Sequence, residues 1–98
     1  MPTSSNENIE VRIPTILRPY TKSEKVVRVS GAASLSELIS ALEKEHAGLG
    51  ERLLENGELR RFINIYINDE DVRFMGSLLA PLKAGDSVTI LPAVAGGC

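Results

Sequence analysis

The chain is predicted to fold as an α+β domain, one mixed sheet packed against a single main helix, and three features of its 98 residues predict this. Two strand-like patterns precede the one long helical pattern, and two or three more follow it. The helical segment is apolar on one face only, so it covers one face of one sheet. A hydrophobic fraction of 43% supplies one small core, and the length suits one domain.

The elements follow in chain order. Residues 1–8, "MPTSSNEN", read as a polar lead-in to a domain over 9–92. In "IEVRIPTIL", Ile9, Val11 and Ile13 fall on one face, with Glu10 and Arg12 on the other, which is the period of a half-buried strand. Pro14 should confine that strand to an edge or place a bulge near its end. "RPYTKSE" reads as a polar hairpin connection, and "KVVRVS" as a second strand with Val27 and Val29 inward. Next, Ser34 and Glu37 have the spacing of a capping box, and Leu35, Leu38, Ile39 and Leu42 repeat at helical spacing. Glu43, Lys44 and Glu45 take the solvated side, His46 sits near the end as a cap or dipole partner, and Gly48 and Gly50 stop the helix. "ERLLENGELR" is a helical turn and then a bend at Asn56-Gly57. "RFINIYIND" is the clearest strand, with Ile63, Ile65 and Ile67 on one face and Phe62, Asn64 and Tyr66 on the other. "NDED" is a turn, "VRFMG" a short strand, and "SLLAPLKAGD" a loop turning at Gly85. The last strand, "SVTILPAV", places Val88 and Ile90 together and Leu91 opposite; its nearly uniform apolar character suits a central, buried position.

Two strands joined by a short connection pair as a hairpin. With a covering helix and a central final strand, the order is that of the β-grasp, or ubiquitin-like, roll. Residues 93–98, "AVAGGC", then form a flexible arm projecting from the clamped last strand.

Composition narrows the function. With 11 basic and 13 acidic residues the net charge is −2, unlike a nucleic-acid binder with its basic stripe. One histidine and one cysteine leave little for side-chain catalysis or metal ligation, so neither is expected. "NDED" is simplest as a solvated turn. No apolar run is long enough for a membrane span, and the N-terminus lacks the pattern of a signal peptide. A single cysteine suits a reducing compartment, and a cytoplasmic protein is expected. Phe62, Tyr66 and Leu91, on the sheet face away from the helix, would make a partner-docking patch unless a loop covers them.

"IPTILRP", "RFINIYINDEDVRF" and "GDSVTILPAVAGG" together touch both ends and the middle of the chain in order. On these segments the sequence resembles the ubiquitin-like sulfur carriers, the ThiS/MoaD family, and within it the CysO-type carriers of cysteine biosynthesis. The resemblance implies a carrier rather than an enzyme. An adenylating, E1-like sulfurtransferase would activate the carboxylate of Gly97 with ATP, and sulfide or a sulfur donor would leave a thiocarboxylate. A cysteine-synthase-like pyridoxal-phosphate enzyme would use that sulfur, and a JAMM-type zinc metallopeptidase would release the cysteine from the carrier. The chain would bring no cofactor of its own. Gly96 fits this scheme physically, since a residue without Cβ threads a narrow channel.

Cys98 departs from the family pattern, in which Gly97 would come last. With Cys98 attached, Gly97 carries an amide and has no carboxylate to activate. Cys98 is then a removable cap or the attached cysteine product, and both imply cleavage between Gly97 and Cys98. The plainer alternatives are a free thiol or a cloning remnant. Two rival functions use the same tail: a ubiquitin-like protein modifier, and the small subunit of a molybdopterin-synthase-like complex.

Overall fold

Period-two alternation in the sequence becomes the two faces of a five-stranded sheet. The structure, a computed structural model, describes residues 8–61 and 63–92. Its strands are β1 (Asn8–Arg12), β2 (Val26–Ser30), β3 (Leu54–Glu55), β4 (Glu58–Leu59), β5 (Ile63–Ile67), β6 (Glu70–Asp71) and β7 (Ser87–Pro92). The main sheet runs β2-β1-β7-β5-β6, and β3-β4 form a separate hairpin. β1 and β2 pair antiparallel, whereas β1 and β7 pair parallel with Val11 beside Val88. β7 is therefore the central strand. One face of the sheet carries Ile9, Val11, Val27, Val29, Ile65 and Ile90, all buried.

That face is covered by helix α1 (Leu35–Glu45), whose Leu35, Leu38, Ile39 and Leu42 are buried as the spacing predicts. The capping box forms with a one-residue offset. The Glu37 N–H donates to Ser34 Oγ at 3.3 Å, and the Glu37 carboxylate accepts from the N–H of Ala33 at 2.8 Å. The helix start is also tied to the loop before β7, since the Leu35 N–H donates to Ala80 O and the Leu82 N–H to Ala33 O.

Five local expectations are corrected. β1 is an interior strand; Pro14 lies after its end, where a missing N–H breaks no ladder bond, and opens a 3-10 segment, Thr15–Thr21. The connection to β2 is consequently not a simple polar loop: Leu17 and Thr21 are buried, and the Thr21 hydroxyl bonds Arg18 O and Glu24 O. The helix ends at Glu45 under a His46 cap, whose N–H donates to Leu42 O. Gly48, at φ +96°, instead starts a second helix, α2 (Leu49–Leu53), and Gly50 lies inside it. Glu43 is the reason: its carboxylate leaves the solvated side, accepts from the N–H groups of Gly48 and Gly50 at 2.7–3.2 Å, and caps α2. A Cβ at Gly50 would stand 2.9 Å from Glu43 Oε1, so a larger residue there would push the carboxylate from this position. "VRFMG" holds a 3-10 turn, Val72–Phe74, because the Asp71 carboxylate accepts from the Arg73 N–H and curls the chain. Finally, β7 is central but buried on one face only, with Leu91 exposed. The turns at Asn56-Gly57 and Asn68-Asp69 form as read, all four residues at positive φ.

Candidate functional site

The end of β7 and the outer face beside it make up the candidate site. Register is fixed at the strand's start. Asp86 Oδ2 accepts from the Lys83 N–H and Oδ1 from Asn68 Nδ2, both at 3.0 Å, while Asn68 Oδ1 accepts from the Ser87 N–H. The Glu10 N–H donates to Asp86 O from the neighbouring strand. From there six paired residues carry the chain to Pro92, which lies opposite Ile63. Gly96, Gly97 and Cys98 follow and lie outside the described residues, as does Phe62.

On the outer face, Asn64 stands opposite Leu91 and Tyr66 opposite Thr89. The sequence thus pairs Leu91 and Tyr66 correctly on one side of the sheet. Leu91 is 45% exposed, and Tyr66 is half-buried. Arg73, which the sequence did not single out, reaches over this face: its Nη1 donates to Asn64 Oδ1 at 2.8 Å and its Nη2 to Ile63 O at 2.8 Å. The turn carrying Arg73 therefore covers part of the patch near Asn64, and Leu91 stays open. Nine residues separate this pair with a strand turn between them, so no local spacing announces it. Three arginines near the strand's end, Arg52 from α2 and the adjacent Arg60 and Arg61 from the chain entering β5, were also missed, because no periodicity relates α2 to that segment.

Among the described residues, no cluster of three His, Cys, Asp or Glu could hold a metal, and no helix is long and apolar enough to cross a membrane. His46 is engaged through its backbone at the end of α1.

Comparison with known proteins gives this arrangement a context. The sequence profile of the ThiS family matches residues 11–97, which spans both the sheet and the glycine pair and stops one residue before Cys98. The chain belongs to the ThiS family. Within that family it is 56% identical over 93 residues to the sulfur carrier protein CysO of Mycobacterium tuberculosis, covering 92% of this chain and 99% of that protein. It is 36% identical over 90 residues to small archaeal modifier protein 3 of Haloferax volcanii, covering 91% and 98%. Among solved structures, the Amycolatopsis orientalis BexX/CysO complex matches with a TM-score of 0.85 at 54% identity, covering 91% of this chain and 99% of the matched one. The CysO crystal structure from M. tuberculosis matches at 0.84 and 52%, covering 89% and 100%. The β-grasp, ubiquitin-like fold is that of this family.

Proposed function

We propose that this chain is a sulfur carrier whose working group is the main-chain carboxylate of Gly97. The observation that carries the reading is the extent of the family match, which reaches through the glycine pair to residue 97 in a chain 56% identical to a named sulfur carrier. The fold supports it. A central strand held on both sides ends at Pro92, and the five residues to Gly97 can reach about 17 Å when extended, enough to enter a partner's active site.

A JAMM-type zinc peptidase hydrolyses the Gly97–Cys98 amide, freeing cysteine and the Gly97 carboxylate. An E1-like partner joins that carboxylate to AMP from ATP, releasing pyrophosphate. Sulfide attacks the acyl carbon, the C–S bond forms, and AMP leaves with the C–O bonding pair. On a cysteine-synthase-like pyridoxal-phosphate enzyme, the thiocarboxylate sulfur would replace the activating group on the β-carbon of an activated serine, that group leaving with its bonding pair, and an S-to-N acyl shift would leave cysteine amide-linked to Gly97. A partner is consistent with the solved complex of a CysO relative with BexX. Leu91 and Tyr66, with Phe62, form the docking face in this reading.

Intact mass spectrometry tests the scheme. Treatment with the peptidase should remove one cysteine residue, and activating enzyme, ATP and sulfide should then exchange one oxygen for sulfur on the shortened chain alone. Equal loading of the full-length chain would sink the role given to Cys98. A second reading, a protein modifier, is favoured by the 36% identity to an archaeal modifier. Isopeptide-linked conjugates in cell extract would support it.

A further inference from the structure

A groove of about 570 Å³ opens beside the end of β7, and its lining joins apolar and cationic groups. Ile16 and Leu17 come from the 3-10 segment, Arg52 from α2, Arg60 and Arg61 from the chain entering β5, and Pro92 from the last strand. Ile16 is 59% exposed, an open aliphatic side chain at the mouth. Glu55 is the one carboxylate in the lining, against three guanidinium groups, in a chain whose net charge is −2. The groove is thus locally positive on a protein that is negative overall.

Two of the arginines are held in place. Arg52 Nε donates to the Tyr20 hydroxyl at 2.6 Å, and its guanidinium stacks 5.3 Å from the Tyr20 ring centre. Arg60 Nε donates to Glu51 O at 2.9 Å, and its Nη1 lies 3.7 Å from Glu55. A guanidinium already fixed by neighbours loses little freedom when it meets a carboxylate, and its planar fork accommodates two carboxylate oxygens at once.

We infer that this groove docks an acidic protein surface, the rim of the activating enzyme's channel, with Ile16 as the apolar anchor and Arg52, Arg60 and Arg61 meeting carboxylates. The inference deepens the sulfur-carrier reading and rests on it. Position selects the occupant. Pro92 both lines the groove and is the last described residue, so a partner that takes up Gly97 works close to this rim. A carboxylate-lined entrance would seat on the arginines and bring the tail into line, and opposite charge would speed the encounter. This surface lies at the strand ends and is distinct from the outer sheet face at Tyr66 and Leu91.

The test is ATP–pyrophosphate exchange by the activating enzyme, with the carrier ending at Gly97 as the varied substrate. Arg61→Glu, Arg60→Glu and the neutral Arg61→Gln are compared with Lys44→Glu, the same charge change on exposed helix α1. Charge reversal at the groove should raise KM about tenfold or more with kcat unchanged, Arg61→Gln should raise it less, and Lys44→Glu should shift it less than twofold. The groove effect should shrink at high salt. If wild-type and groove variants share one KM, the groove proposal falls while the carrier reading stands. If wild-type carrier is never activated, the carrier reading falls and takes the groove with it. A drop in kcat alone would overturn docking.

Discussion

β5 and β7 each present two surfaces of opposite purpose. Toward α1 they place Ile63, Ile65, Ile67, Val88 and Ile90, all buried; toward solvent they place Asn64, Tyr66, Thr89 and Leu91, half-buried or exposed. Adjacent residues on one backbone therefore answer to different demands. Inner residues decide whether the strand exists, and outer residues decide what it meets. Because the side-chain period is two, a one-residue slip would exchange the faces, and the Asp86–Asn68 lock at the start of β7 opposes that slip.

Substitutions can break this contrast, beginning with the largest effect. Ile65→Ala, at a fully buried site opposite Ile90, should destabilise the fold by about 2–5 kcal/mol in urea unfolding, with kcat for loading per folded molecule unchanged. A cost below about 1 kcal/mol would mean that the inner face is not the organising one. Gly48→Ala places a Cβ at φ +96° and 3.3 Å from the Tyr20 ring, and should cost about 1–2 kcal/mol by the same measurement. Ser34→Ala removes the N-cap of α1 and should cost about 1 kcal/mol. Leu91→Ser sharpens the comparison from the other side. Stability should stay within about 0.5 kcal/mol of wild type, yet KM for the activating enzyme should rise about tenfold. A large loss of stability with unchanged KM would make Leu91 part of the core instead.

What the sequence made legible was what local pattern controls. Isoleucines at every second position announced β5, the Leu35-Leu38-Ile39-Leu42 spacing announced α1, and Asn56-Gly57 announced a bend, though not the β3-β4 hairpin around it. Two of the misreadings come from a carboxylate that binds backbone N–H groups of other residues. Gly48 and Gly50 looked like a helix stop until the Glu43 carboxylate is seen to take both N–H groups and begin a second helix. "VRFMG" looked like a strand until Asp71 is seen to cap a 3-10 turn. Of the candidate site, Leu91 and Tyr66 were readable from period two, while Arg73 and the groove arginines were not, since no periodicity relates them.

By itself the sequence determined the four long strands β1, β2, β5 and β7, the main helix, most of the inward set of aliphatic side chains, and a tail rich in Ala, Val and Gly, because each follows from local period or residue type. Only the tertiary structure decided that β1 is interior and parallel to β7, that Arg73 reaches over Asn64, and that Ile16, Arg52 and Arg61 gather beside Pro92. These depend on contacts between residues far apart in the chain, which form only once the buried face has closed on α1 and fixed every strand's register.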